Sequence, residues 1–170
     1  MKTKLRYLLI GVLAAFVAAA ALLFTPLGKG LLSTLFPVGV VERVDFAAFK
    51  LPDKTNQFLM CPTGFCAANP PAESPVFDVP AAQLRARWRE FAANQPRTEL
   101  LAEDADARQI DYVQRSARFR FPDIITVRFI PVSASRSTLV IYSRSIYGRS
   151  DFGVNRKRVD DWLKTFSAAL

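Results

Sequence analysis

The residues best suited to chemistry lie near the C-terminus, in one polar stretch that covers residues 143–159. It reads Ser-Arg-Ser-Ile-Tyr-Gly-Arg-Ser-Asp-Phe-Gly-Val-Asn-Arg-Lys-Arg-Val and holds five cationic side chains but a single carboxylate, that of Asp151. The pattern predicts a strand that ends at Ser145, then a glycine-bounded turn that leads into a helix. Helix N-termini attract anions through free N–H groups and the helix macrodipole. The stretch therefore predicts cations gathered around a helix N-terminus.

Two interpretations of this cluster stay open. The first is an anion pocket for a phosphate or carboxylate group, and its predicted ligand-binding residues are Arg144, Arg149, Asp151, Asn155 and Arg156. In the second, Asp151 caps the helix while Arg149 or Arg156 pairs with Asp123 or Asp151 to fix the turn. Arginine–carboxylate forks serve both purposes equally well.

Catalysis has little support in the sequence. The chain contains no histidine, which excludes Ser-His-Asp and Cys-His nucleophile systems and the common zinc hydrolase sites. Asp123 and Asp151 could work as an acid/base pair if the fold brought them together, as in a hydrolase or a transferase. No spacing requires that arrangement, so this activity is the alternative and no residue is predicted to be catalytic.

Cys61 and Cys66 are the only cysteines, and four residues separate them. In an oxidising compartment such a pair is most simply a local disulfide, with free thiols as the alternative. A zinc site would need about four Cys or His ligands, which a chain without histidine does not offer. We predict a disulfide, and neither a metal nor a cofactor.

The N-terminal segment indicates export. Lys2, Lys4 and Arg6 precede an uncharged run of eighteen residues, 7–24. As a helix this run would be about 27 Å long, close to the thickness of the hydrocarbon core. By the positive-inside rule the N-terminus is cytoplasmic, and the domain lies on the periplasmic side of a bacterial inner membrane. A signal peptide cleaved near residues 18–20 is the alternative, but apolar residues continue beyond that point, so a single-pass anchor is favoured.

The charge balance suggests the partners. Without the three N-terminal cations, 20 basic and 15 acidic residues remain, a net charge of +5. A modestly basic domain beside a membrane is drawn to anionic headgroups. We therefore expect the membrane and an anionic lipid or small anionic ligand as partners, and not nucleic acid. Residues 31–41 are apolar but too short to span a bilayer; they either lie along its surface or pack as the first element of the domain.

Periodicity predicts an α+β domain. A helix is predicted over residues 79–94, with Asp78 as its N-cap, and a second helix follows the polar stretch. Between them, strands are predicted over residues 98–102, 109–119, 124–132 and 138–145, whereas the proline-rich residues 50–78 are predicted to be mostly loop. The predicted architecture is a transmembrane helix followed by a single domain, in which two amphipathic helices cover one face of a four-stranded antiparallel sheet. Trp88 and Trp162 fall at apolar helical positions and are expected in the core.

Three separated pieces of sequence belong together: Cys61-Pro62 with a second cysteine shortly after, Phe121-Pro122-Asp123, and residues 143–159. Together they resemble the DUF1499 family, a domain of unknown function, over about residues 57–167. The resemblance implies domain limits rather than an activity. We expect a cytoplasmic stub and anchor over residues 1–28, a membrane-proximal segment over 29–56 and the domain over 57–170. The predicted function is a membrane-anchored, exported binding or accessory module that recognises an anionic group.

Overall fold

The computed structural model of the chain describes residues 2–104, 106 and 108–170. The chain forms two units. The N-terminal unit contains the residues up to Pro37 together with Ser116–Arg120, and the sheet unit contains Val38–Arg115 and Phe121–Leu170.

The N-terminal unit contains two helices, α1 (Lys2–Leu22) and α2 (Pro26–Leu35). Thr25 caps α2, because its side-chain oxygen accepts a hydrogen bond from the Gly28 backbone N–H at 3.2 Å. Within α1, Thr3–Leu22 has a mean hydropathy of 2.2, and it is long and apolar enough to cross a membrane. The predicted N-terminal apolar helix is therefore present, and by length and composition it suits a membrane anchor or a signal sequence.

The sheet unit is built on a seven-stranded sheet. Its strands are β1 (Gln57–Cys61), β2 (Ala72–Glu73), β3 (Val76–Phe77), β4 (Thr98–Asp104), β5 (Gln109–Arg115), β6 (Pro122–Pro131) and β7 (Ser137–Ser145). Their order is β2-β1-β7-β6-β5-β4, and β3 also pairs with β7. Strands β4 to β7 form the antiparallel meander that the sequence predicts.

The prediction of a four-stranded sheet is wrong in its number of strands. Residues 50–78 contribute β1, β2 and β3 instead of loop alone. In β1 the four residues 58–61 are all buried, because Phe58 and Met60 face one core cluster while Leu59 and Cys61 face another. A short apolar run without alternation cannot be told from other buried segments by periodicity.

Two helices, α3 (Ala81–Ala93) and α4 (Val154–Ala168), pack against the same core cluster of the sheet. Trp88 and Trp162 lie in this cluster, as predicted, with 0% and 6% of their surfaces exposed. Their ring centroids are 6.2 Å apart, and the Phe166 ring lies 4.8 Å from that of Trp88. Aromatic packing of this kind stabilises a core beyond the area that it buries.

The predicted N-cap of α3 is wrong. Pro80 occupies the cap position without a side-chain hydrogen bond, and Asp78 instead pairs with Arg136 at 3.1 Å. Proline is suited to a helix start because its fixed φ fits the first turn and its missing N–H would have no partner there.

A second core cluster includes Phe46, Leu59, Cys61 and Tyr142, and Phe49 packs against it. The predicted Cys61–Cys66 disulfide is present, with a Cα–Cα distance of 6.3 Å. It ties a short loop to the buried end of β1.

Removal of the disulfide by the substitution Cys66→Ala is expected to lower the free energy of unfolding by about 2 kcal/mol, since only a short loop loses its constraint. Urea unfolding of the full chain in mild detergent measures this change. Reductant should bring the wild type to the stability of the variant and leave the variant unaffected. Two cysteines that alkylate without prior reduction, in protein taken from membranes, would contradict the prediction.

Candidate functional site

The polar stretch forms the end of β7, a turn over residues 146–153, and the start of α4. Gly148 and Gly153 both have φ of 81°, a left-handed conformation that suits glycine. The turn is attached to the segment before β1: the Thr55 hydroxyl donates to the Arg149 carbonyl at 3.0 Å, and the Asn56 amide donates to the Gly148 carbonyl at 2.8 Å. The turn is therefore held by hydrogen bonds to a part of the chain distant in sequence.

Asn155 is the centre of the polar network beneath the turn, and none of its surface is exposed. Its Nδ2 group donates to Asp151 Oδ2 at 2.7 Å, and to the Asn56 carbonyl and Ser145 Oγ at 3.1 Å each. Its Oδ1 atom accepts from Ser143 Oγ at 2.6 Å. Because both ends of the amide are engaged, Asn155 has no capacity left for a ligand.

Arg158 connects this network to the sheet. Its Nη2 atom lies 2.5 Å from Asp123 Oδ2, and these side chains are only 8% and 13% exposed. Nη1 donates to Ser143 Oγ at 2.8 Å and to Asn155 Oδ1 at 2.6 Å, and Nε donates to Gln114 Oε1 at 2.5 Å. A guanidinium has five N–H groups, so these contacts use most of its capacity. We call Arg158, Asp123, Ser143 and Asn155 the inner network.

Asp151 occupies the position at the helix start where an anion would bind. Its Oδ1 accepts from the Gly153 backbone N–H at 3.0 Å, and its Oδ2 accepts from that of Asn155 at 2.7 Å. A carboxylate here satisfies N–H groups that lack helical partners and interacts favourably with the macrodipole. Gly153 occupies the N-cap position of α4, and Asp151 satisfies the helix N–H groups from two residues before it.

The cations predicted to converge are placed differently. Arg144 donates to Thr126 Oγ1 at 3.0 Å, and its guanidinium lies 4.7 Å from the Tyr142 ring centroid. Adjacent residues of a strand point to opposite faces, so Arg144 and Ser143 cannot share a site. The Arg156 guanidinium lies over Phe58, 5.3 Å from the ring centroid, and the Arg149 side chain is exposed.

Arg158, rather than Arg149 or Arg156, pairs with Asp123. The helical period could have identified Arg158 as the buried cation of the stretch. It falls three residues after Asn155 and four before Trp162, on the face that α4 buries.

The acid/base alternative finds no support in the geometry of the described residues. Asp123 is paired with Arg158 and Asp151 is bonded to the helix start, so each carboxylate is satisfied. A groove of about 230 Å³ lies against α4, but neither carboxylate lines it; its lining residues are Gln114, Val154, Lys157, Arg158, Asp161 and Trp162.

Two pairs of polar side chains within the sheet are hydrogen-bonded to each other. Thr126 Oγ1 donates to Asp111 Oδ1, and the Tyr142 hydroxyl donates to Gln57 Oε1, both at 2.5 Å. Burial raises the pKa of Tyr142 and lowers the pKa of Arg144 from their ordinary values.

Tyr112 on β5 is a second buried tyrosine. Burial raises its pKa above the ordinary value, and the Glu103 carboxylate raises that pKa further. Its buried hydroxyl has no hydrogen-bond partner among the residues that the structure describes.

Comparison with known families identifies the chain. The family described as "Protein of unknown function (DUF1499)" matches residues 51–166. The chain belongs to the DUF1499 family. The matched region contains both cysteines, the inner network and the whole turn, so the candidate site lies within the DUF1499 domain.

Two solved structures are similar to part of the chain. The di-domain ARO/CYC BexL from the BE-7585A biosynthetic pathway has 18% identity and a TM-score of 0.37, over 56% of this chain and 41% of that one. The Zhui aromatase/cyclase from Streptomyces sp. R1128 has 15% identity and a TM-score of 0.32, over 56% of this chain and 84% of that one. The DUF1499 chain thus spans less than half of BexL, and both likenesses are too distant to indicate a function. No curated protein matches the chain.

The substitution Arg158→Met is expected to lower the free energy of unfolding of the DUF1499 domain by about 3–5 kcal/mol, because it leaves the Asp123 carboxylate buried without a partner. Arg158→Lys should not restore stability, since one ammonium cannot replace the planar fork. Urea unfolding of the full chain in detergent measures both. The control Arg149→Met, at an exposed position, should change the free energy by less than about 0.5 kcal/mol. Equal effects at Arg158 and Arg149 would contradict the role of the inner network.

The two buried tyrosines offer a matched pair of substitutions. Tyr112→Phe removes the unbonded hydroxyl and should leave the free energy of unfolding unchanged or higher, whereas Tyr142→Phe breaks the bond to Gln57 and should lower it by about 1 kcal/mol.

The same two tyrosines predict how stability depends on pH. Because both pKa values are raised in the folded state, the two hydroxyls make their full contribution to stability below about pH 10, and this contribution is lost as the pH rises through the folded pKa values. Phenolate absorbance during alkaline titration should therefore show two late tyrosines, and each substitution should remove one. Ionisation of both at the ordinary tyrosine pKa would contradict this.

Proposed function

We propose that this DUF1499 chain is a membrane-anchored, exported binding or accessory module that recognises an anionic group at the outer surface of its turn and of the α4 start. One observation carries the proposal: the inner network is satisfied from within, while the cations above it face solvent. Arg149 is exposed, and the side chains of Arg156 and Lys157 are 65% and 76% exposed. Cations exposed to this extent can be reached by a ligand.

The acidic partners on α4 leave this surface available. Arg156 lies 3.8 Å from Asp160, and Lys157 lies 2.5 Å from Asp161. Exposed ion pairs of this kind contribute little free energy, so a phosphate or carboxylate group can compete for the cations. Asp151 is directed to the helix N–H groups and therefore does not neutralise the surface fully.

We further propose that α1 anchors the chain in the inner membrane with its N-terminus in the cytoplasm and the domain in the periplasm. The basic residues before the apolar run support this orientation, and the disulfide is consistent with an oxidising compartment. A reporter that is active only outside the cytoplasm, fused after Leu170, should be active. Activity of a cytoplasm-only reporter at the same position would contradict the orientation.

Binding of an anionic probe tests the proposed recognition. In the double variant Arg149→Gln/Arg156→Gln, the affinity of the full chain for a soluble short-chain phosphatidic acid should fall about tenfold, because two cations near the phosphate are lost. The melting temperature should stay within about 2 °C of wild type, since both side chains are largely exposed. Native mass spectrometry and calorimetry of the detergent-solubilised protein measure these quantities.

The matched control is Arg136→Gln. Arg136 is an exposed arginine in an ion pair, but it precedes β7 and so lies at the opposite end of that strand from the turn. The Arg136→Gln variant should bind the phosphatidic acid with unchanged affinity. Equal loss in the control, or no loss in the double variant, would contradict the proposed site.

A further inference from the structure

Phe152 is the most exposed large apolar residue in the described part of the sheet unit. Its surface is 98% exposed, and its backbone has φ of 54°, in the left-handed region that side-chain-bearing residues rarely adopt. The ring buries almost no surface within the domain. The backbone N–H of Phe152 lies 3.5 Å from Ser150 Oγ. The backbone conformation belongs to the turn that the Val154 N–H closes by donating to the Asp151 carbonyl at 3.1 Å, and a glycine would adopt it more readily. A large apolar ring on that turn, almost fully exposed, indicates that the ring is used outside the domain.

Other apolar side chains accompany Phe152 at this end of the sheet. Val154 is 50% exposed, and Phe121 and Tyr147 are each 38% exposed, with ring centroids 6.5 Å apart. The loops that carry them are joined, since the Ile146 backbone N–H donates to the Pro122 carbonyl at 3.3 Å. Tyrosine and other amphipathic aromatic residues are enriched where a protein meets the membrane–water interface.

Cations border this apolar surface. Arg149 lies in the turn itself, and Lys157 lies one turn into α4. Lys54 is exposed beside Thr55, whose backbone N–H donates to the Arg149 carbonyl at 3.2 Å. An apolar tip with a cationic border complements a leaflet that is apolar within and anionic at its surface.

Hydrogen bonds beneath the turn hold its backbone. Asn155, a member of the inner network, donates to Asp151 through both its backbone N–H and its side-chain amide, which lowers the ordering cost of presenting Phe152.

We propose that the turn docks on a bilayer: Phe152 inserts into the interfacial region of an anionic leaflet, and Arg149, Lys157 and Lys54 contact its headgroups. This inference rests on the proposed function and names the partner of that site. The chain itself carries a helix apolar enough to span a membrane, so a bilayer is a surface that the anchored chain meets constantly.

Tryptophan fluorescence of the full chain in nanodiscs tests the docking. In Phe152→Trp, the emission should shift to the blue in nanodiscs that contain phosphatidylglycerol and should be quenched by lipids brominated near the headgroup. In phosphatidylcholine nanodiscs the shift should be lost. Trp88 and Trp162 are buried, so the wild type provides the baseline. The matched control is Val132→Trp, at a position that is 50% exposed in the wild type and lies beyond the opposite end of β7; it should be quenched in neither nanodisc.

A second measurement separates docking from folding. Glycine favours the positive φ at position 152, so Phe152→Gly should not lower the melting temperature. Hydrogen exchange over residues 146–154 should slow in anionic relative to neutral nanodiscs for the wild type, and this protection should be lost in Phe152→Gly. Absence of quenching in Phe152→Trp would overturn the inference, and so would equal wild-type exchange in both nanodiscs.

The two proposals can fail separately. If Arg149→Gln/Arg156→Gln weakens phosphatidic acid binding while the Phe152→Trp variant stays unquenched, the anion site stands and bilayer docking is wrong. If neither response is seen, both are wrong. A blue shift without quenching by brominated lipid would show that protein covers the ring, and it would also overturn docking.

Discussion

Arg158 carries a positive charge into the space between α4 and the sheet, where removal from water is costly unless the charge is paired and hydrogen-bonded. Asp123 on β6 supplies the opposite charge, while Gln114 on β5 and Ser143 on β7 supply acceptors. One guanidinium thereby contacts three adjacent strands of the meander. That requirement sets the rotation of α4 about its axis, and with it the direction in which Trp162 and Phe166 face the core.

The same constraint shapes the turn. Asn155 shares the Ser143 hydroxyl with Arg158, and its amide holds both Asp151 and the Asn56 carbonyl. The path between β7 and α4 is therefore fixed from inside, and the outer side chains contribute little to it. This division explains how one polar stretch can serve two purposes: its inward members stabilise the domain, whereas its outward members, such as Arg149 and Lys157, can change their contacts without loss of the fold.

The sequence predicts the parts of this architecture that have a clear period. The apolar stripes of α3 and α4 and the four meander strands repeat often enough to be read directly. Strand β1 could not be found this way, because its neighbours bury both of its faces and remove the alternation. Within the polar stretch, residue type alone does not separate Arg158 from Arg149 and Arg156. The distinction depends on helical phase, which places Arg158 with Asn155 and Trp162, and on Asp123, which is distant in sequence and becomes its partner only through the pairing of β6 with β7.

Non-glycine residues with positive φ lie where backbone hydrogen bonds compensate the strain, but their side chains differ in exposure. Among the described residues of the sheet unit, Arg97, Arg108 and Phe152 have positive φ without being glycine. The strained conformations at Arg97 and Arg108 bring hydrogen bonds: the Arg97 carbonyl accepts from the Arg115 backbone N–H, and the Arg108 carbonyl accepts from that of Phe129, both at 3.0 Å. Phe152 lies inside a turn that the Val154 backbone N–H closes by donating to the Asp151 carbonyl at 3.1 Å, so its backbone conformation is compensated as well. Its ring differs, since it is 98% exposed. Natural sequences agree with their folds at most positions and depart from them where function intervenes, so a large apolar ring left almost fully exposed points outward from the domain.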